Sequence, residues 1–193
     1  INPNVLNMLN TRYVIVPTDQ GPQVQRNPGA PGCVWFVNEI RWVNSPDEEI
    51  VALNDFNPVR TAVIDKAWQA DLPSWQQLAS SDSAATIRLT DYPAPDRLLY
   101  ESQSASPRLA VFSEVFYKTW HAYIDGREVK PIRVDYILRG LEIPAGTHKI
   151  EFRCVDDVYL RSARISLIAS IVVGVVFLAL LGMAVRSAAV RKA

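Results

Sequence analysis

Residues 165–185, ISLIASIVVGVVFLALLGMAV, form an unbroken run of 21 residues without a single ionisable side chain. As a helix the run would reach about 31 Å at 1.5 Å per residue, the depth of a bilayer's hydrocarbon core. Its only polar side chains are Ser166 and Ser170, and such hydroxyls are tolerated in a helix surrounded by lipid. The core helix of a soluble protein keeps a polar face, and this run has none. It predicts one C-terminal transmembrane helix over 165–185, following a globular region of about 160 residues.

Charge places the ends. Arg186, Arg191 and Lys192 follow the run, and Arg161 and Arg164 precede it. Counting Lys and Arg alone gives a slight bias toward a cytoplasmic C-terminus, with residues 186–193 as a short basic tail. Residues before the span would then be extracytoplasmic. The chain opens on Ile1-Asn2-Pro3-Asn4, without a signal-type stretch. Either the chain is processed or it is the tail of a longer protein; a complete tail-anchored protein with its domain in the cytosol is the rival, and composition does not separate them.

Net charge is zero and Lys and Arg never exceed two in succession. Nucleic-acid binding, which needs phosphate neutralisation, is not expected. Cys33 and Cys154 lie far apart and outside any CxxC spacing. Both sit among apolar, strand-like residues, so two buried thiols are favoured over one disulfide, and the sequence leaves both open.

The soluble part divides loosely near Ser83, into an α+β piece (1–83) and an antiparallel β-sandwich piece (84–160), jelly-roll-like in overall type. In the first, Tyr13-Val14-Ile15-Val16 reads as a strand, 18–32 as a loop and 33–43 as a strand. Ser45-Pro46-Asp47-Glu48 starts a short helix: serine caps, proline suits the first turn, and the acids 47–49 match the positive helix end. Ile50, Val51 and Leu53 are its expected buried side. Residues 60–64 read as a strand, 65–83 as weakly ordered, and 80–83 as a plain loop. In the second piece, Ala85, Ile87 and Leu89 alternate with Thr86, Arg88 and Thr90, the period of a half-wet sheet. Residues 98–104 and 109–112 continue the series, and strands at this spacing predict a sandwich.

Residues 113–154 are the most informative. Asp125-Gly126 predicts a tight hairpin, since a type I′ turn needs positive φ at both centre positions. Trp120, Ala122 and Ile124 then share one face, and His121 and Tyr123 the other. Residues 128–134 return, and Pro144-Ala145-Gly146-Thr147 is a second turn leading to a strand through Ile150 and Phe152. Ser113-Glu114, Phe116-Tyr117, Trp120, Tyr123-Ile124-Asp125-Gly126, Pro144-Ala145-Gly146 and His148, with the terminal span, resemble the C-terminal part of YfhO-family bacterial membrane proteins. Leu9-Asn10, Arg12-Tyr13-Val14-Ile15 and Val34-Trp35-Phe36-Val37 extend the likeness over nearly the whole chain. It departs at Lys118-Thr119-Trp120, where the family usually has a glycine before the tryptophan.

The resemblance implies a polytopic protein related to glycosyltransferases of the GT-C architecture, which use lipid-linked sugars, with roles in cell-envelope glycosylation. This chain would be the extracytoplasmic domain and last helix, partnered by the bilayer, the upstream helix bundle and a glycan or lipid-linked sugar. The catalytic acids would lie upstream, so no catalytic residue is carried over and the fragment itself is expected to be inactive. The alternative is a membrane-anchored carbohydrate-binding or interaction module without catalysis.

The chain's own chemistry is sparse. His121 and His148 have no ligand partner at helical spacing, and no HExxH, P-loop or G-x-S-x-G motif occurs, so neither metal nor cofactor is expected. Ser113-Glu114 reads as a strand end, and Asp156-Asp157 as solvated. Tyr117, Tyr123 and Tyr136 are the candidate glycan contacts, aromatic faces being suited to the apolar face of a sugar. Trp120 and Phe116 are expected in the core. Ser166, Ser170 and Gly174 recur every four residues and would let another helix approach closely.

Overall fold

The computed structural model describes residues 2–74 and 84–190, which fall into two compact units, Ile1–Cys154 and Val155–Ala193. The first unit is mainly antiparallel sheet with a small N-terminal α/β part, and the second is one long apolar helix.

The N-terminal part begins with α1 (Pro3–Met8), whose Asn2 cap accepts a hydrogen bond from the Asn4 amide at 2.9 Å. Strands β1 (Tyr13–Val16) and β2 (Gln23–Arg26) make an antiparallel ribbon. The stretch 18–32 is thus not simply a loop: β2 lies within it. Gln and Arg carry no apolar signature, and pairing with β1 is what makes the strand. Residues 33–43 are likewise two strands, β3 (Val34–Val37) and β4 (Glu39–Val43), sent to different sheets at Asn38.

Helix α2 (Pro46–Ala52) starts as its sequence predicts. Ser45 Oγ accepts from the Glu48 amide at 3.2 Å, and Glu48 reaches back to the Asn44 amide at 2.9 Å. Its buried side differs from expectation: Ile50 and Val51 are 46% and 66% exposed, while Glu49, Ala52 and Leu53 are buried. Next comes β5 (Thr61–Asp65), parallel to β4, and a 3-10 helix at Lys66–Asp71. Trp75, the loop at 80–83 and the Ser83 division lie outside the described residues.

The sandwich follows: β6 (Thr86–Ala94), β7 (Arg97–Ser104), β8 (Arg108–Val115), β9 (Trp120–Ile124), β10 (Arg127–Val129), β11 (Ile132–Val134), β12 (Leu138–Ile143) and β13 (Gly146–Cys154). One sheet has the order β10-β9-β13-β7-β6 and the other β11-β12-β8-β3, all antiparallel. The chain changes sheet after β7, β8, β10 and β12. Asp125 (φ 50°) and Gly126 (φ 81°) both take positive φ between β9 and β10, the geometry the Asp-Gly pair predicts.

The four-stranded sheet is buried on both faces, which explains why β8 shows no polar alternation. Ala110 and Phe112 face the other sheet with Leu98, Tyr100, Ala122, Ile124, Ile150 and Phe152. Leu109 and Val111 face the N-terminal part, meeting Met8, Leu53, Val63 and Ile64. Strand β3 pairs with β8 from Val34↔Phe112 to Val37↔Leu109, so the α/β piece and the sandwich share one sheet. Gly140 is required where β11 leans over β12: a Cβ there would stand 2.5 Å from Val134 Cγ1.

The second unit holds α3 (Asp157–Val190). Asp156 caps it, its carboxylate accepting from the Val158 and Tyr159 amides, each at 3.0 Å. Val158–Met183 is long and apolar enough to cross a membrane, and its apolar side chains are exposed all round. Ser170 Oγ donates to the Ser166 carbonyl at 2.9 Å, satisfying the hydroxyl within the helix.

Candidate functional site: an aromatic groove at one end of the sandwich

The strand registers define two ends. One carries the turns at Asp125-Gly126 and Pro144-Ala145; there Asp125 binds His148 Nδ1 at 2.7 Å and the Lys149 amide at 2.9 Å. Those bonds, His148 foremost, lower the Asp125 pKa, and Asp125 raises that of His148. The histidine is a turn staple, as its position in the sequence predicts.

The other end carries a groove of about 550 Å³. Its upper lip is the connection from β8 to β9, where the Phe116 amide donates to Ile137 O at 2.7 Å and the Trp120 amide to Tyr117 O at 3.0 Å. That second bond closes a turn, leaving Tyr117 and Lys118 exposed. Phe116 meets Trp68 edge to face, centroids 5.3 Å apart. Trp68 comes from the 3-10 helix, whose start is capped by Asp65 accepting from the Ala67 amide at 2.8 Å. The lower lip is the return from β10, with Lys130 Nζ 2.8 Å from Asp71 and 5.7 Å from the Trp68 ring centre. His121 Nδ1 and Glu128 Oε1, 2.7 Å apart, make the polar wall.

Trp120 is half-buried, with one side in the groove and the rest against the sandwich core. Beneath it lies Arg139, only 1% exposed, its guanidinium 4.4 Å from the Trp120 ring centre and 4.6 Å from that of Phe152. Arg139 Nη2 donates to Glu114 at 2.8 Å, while Nε and Nη1 find no partner among the described residues. Burial lowers the Arg139 pKa and the Glu114 carboxylate opposes that shift. The arginine thus braces the groove floor from inside. Glu114 and Ser113, whose hydroxyl donates to Met8 O at 2.9 Å, are structural at the strand end.

The three tyrosines singled out from sequence occupy separate surfaces. Tyr117 lies on the groove. Tyr123 is on the outer face of the five-stranded sheet, with Arg153 4.8 Å from its ring centre. Tyr136 packs against the N-terminal part in a turn at φ 70°, its amide donating to Glu49 at 2.9 Å. Ser166, Ser170 and Gly174 lie on α3, in the second unit. Sequence reasoning missed Trp68, Lys130 and the His121–Glu128 pair; Asp125-Gly126 was the available signal for the last, because a two-residue turn sets Glu128 opposite Tyr123 and so diagonal to His121.

Phe116, expected in the core, is half-buried on the groove instead. Cys33 and Cys154 are both free thiols, and Cys154 Sγ is 3.3 Å from Thr119 Oγ1. Among the described residues no His, Cys, Asp and Glu gather in a group able to hold a metal ion. The arrangement can stack a ring-shaped ligand and hydrogen-bond its edge. No protein-family model, curated protein or solved structure matches this chain.

Proposed function

We propose that this chain is the extracytoplasmic C-terminal domain and last membrane helix of a YfhO-like integral membrane protein that transfers lipid-linked sugars in the cell envelope. The sandwich binds glycan in the groove beside Trp120, and α3 anchors it with its C-terminus in the cytoplasm. The observation that carries this reading is the groove itself: Trp68, Tyr117 and Trp120 supply aromatic surface, and Lys130, His121 and Glu128 supply hydrogen-bonding edges. Sugars are held by that combination, an apolar ring face on an aromatic and hydroxyls on charged groups. The motifs between Ser113 and His148 connect it to the family.

The test is a tryptophan-fluorescence titration of the full chain in nanodiscs with β-linked glucose and N-acetylglucosamine oligosaccharides. A saturable change is expected, lost in Trp120→Ala and weakened in Tyr117→Ala. Tyr136→Ala should bind as the unmodified chain does. No saturable response to any oligosaccharide, or equal responses from all variants, would overturn the groove assignment.

A further inference from the structure

The ribbon of β1 and β2 is poorly covered. Every residue of β2 is exposed, and Tyr13, Ile15 and Val24 are 63%, 69% and 67% exposed on one face of the ribbon. A two-stranded ribbon with an uncovered apolar face is marginal on its own. Its other face carries Val14 and Val16, beside Pro3 and Leu6 of α1.

The ladder inside the ribbon fixes what its outer edge offers. Thr18 and Gly21 exchange both backbone bonds, at 3.3 and 2.9 Å, and the Asn27 amide donates to Arg12 O at 2.8 Å. Hydrogen-bonded pairs alternate along antiparallel strands, so Val14 with Gln25 and Val16 with Gln23 share the ladder. Tyr13 and Ile15 therefore turn their amides and carbonyls away from β2, toward a side where no strand pairs with β1 among the described residues. This edge is short. At one end the Thr11 amide is taken by Leu6 O at 3.0 Å, and at the other Pro17 has no amide. Residues 13–16 carry no charge, whereas the edge on β2 carries Arg26, a charge that discourages pairing.

An open edge so bounded selects its partner. Antiparallel pairing with an identical strand about a two-fold axis at Val14 sets Tyr13 opposite Ile15 of the second copy, and Ile15 opposite its Tyr13. Both amides and both carbonyls of each edge are then used. A register shifted by two residues strands a carbonyl on each chain, and a longer foreign strand finds no further donor at Thr11 or Pro17. Tyrosine beside isoleucine is a favourable cross-strand pair, and Val24 extends the same apolar row. Arg12 falls beside Val16 of the second copy, so the two arginines stay at opposite ends.

We infer that β1 is a self-association edge, through which two copies of this chain join into one sheet of order β2-β1-β1-β2. The contact is smaller than the roughly 1,200 Å² that a stable interface buries, so the pairing is reversible and concentration-dependent. It rests neither on the groove nor on where α3 lies.

The test is disulfide trapping with a mild oxidant in disrupted, detergent-free cells expressing the full chain with Cys33→Ser and Cys154→Ser. At the axis the two residue-14 Cα atoms would stand about 4.5 Å apart, a spacing that a disulfide bridges. Val14→Cys should therefore dimerise about tenfold faster than Val24→Cys, although Val24 is well exposed. Tyr13→Cys alone should stay monomeric, its mate being displaced by two residues, yet should link to a differently tagged Ile15→Cys chain. Adding Ile15→Pro to Val14→Cys removes an outward amide and spares the ladder to β2, so trapping should fall to the rate at 24. Tyr13→Lys with Ile15→Lys keeps every backbone group but sets like charges opposite, and should do the same. Absence of trapping at 14, or equal rates at 14 and 24, overturns the edge. So does faster trapping at 24, which would put β2 at the contact, or trapping at 14 that the double-lysine chain retains. A Val14→Cys adduct with a different protein in place of the self-adduct would give the edge to a foreign strand and overturn the inference.

Discussion

The four-stranded sheet meets two partners, and it meets them differently. Toward the five-stranded sheet the contact is chiefly aromatic: Tyr100, Phe112 and Phe152 stand edge to face, with centroids 4.9, 6.1 and 4.8 Å apart, and the buried Arg139 guanidinium lies against this cluster over the Phe152 ring. Burial there pushes the Tyr100 pKa upward. Toward the N-terminal part the apolar contact is interrupted by charge. Glu49, wholly buried on α2, accepts from Arg133 at 2.8 Å and from the Tyr136 amide. Asp135, at φ 49°, accepts from the Val63 amide at 2.7 Å and donates its own amide to Val63 O at 2.8 Å.

Asp135 thus joins the edge of one sheet to β5, its carboxylate taking the place of a backbone carbonyl. Aromatic packing is non-directional and rewards area. Two hydrogen bonds from a single fixed residue accept only one register. A small layer without enough area to hold itself gains its position from such bonds, at the cost of buried charge. On this view the aromatic interface governs stability, while the charged one governs placement and its response to pH.

The sharpest break in that contrast is Phe112→Ala. It removes the centre of the aromatic cluster and should lower stability by about 3–5 kcal/mol, read from urea unfolding of the full chain in nanodiscs. Arg133→Met leaves Glu49 buried without its cation and should cost about 2–3 kcal/mol, less than a fully buried pair because Arg133 is partly exposed. Gly140→Ala should cost about 1–3 kcal/mol through the clash with Val134, despite its conservative chemistry.

The pH response separates the interfaces more finely. Burial, opposed by the Val63 amide and reinforced by Glu49, raises the Asp135 pKa to about 8. Burial, opposed by Tyr136 and Arg133, also raises that of Glu49, with Asp65 adding to it. The folded chain then holds protons that the unfolded chain has released, since free carboxyls titrate near pH 4. Stability should fall as pH rises from about 4 to about 8 and level off above that. Asp135→Asn should flatten much of this slope, whereas Phe112→Ala should leave the slope and lower the whole curve. A slope equally steep in Asp135→Asn would refute this account. The smallest effect belongs to the outer face: Arg88→Ala, which breaks an exposed pair with Glu101, should change stability by less than about 0.5 kcal/mol.

What was legible in the sequence was local. Ser45 and Pro46 announce α2 because capping needs only neighbours a turn away, and Asp125-Gly126 announces its hairpin because only such residues accept the turn's φ values. The same helix also shows where legibility stopped. Its acids suit the positive helix end, yet Glu49 is the residue buried against Arg133, and Ile50 faces outward. The site divides similarly. Tyr117 and Trp120 stand out in a distinctive stretch, but Trp68 joins them from a segment with no periodicity, through a contact with Phe116 that local pattern does not encode.

The sequence by itself determined the apolar terminal helix, the antiparallel character of the sandwich strands and the positions of the tight turns. Each depends on a local run of side chains and its period. Tertiary structure alone decided that β3 would cross into the sandwich, that a sheet would be covered on both faces, and that Glu49, Asp135 and Arg139 would be buried. A side chain's environment is set by residues distant in the chain, and no periodicity within one segment records which partner covers it.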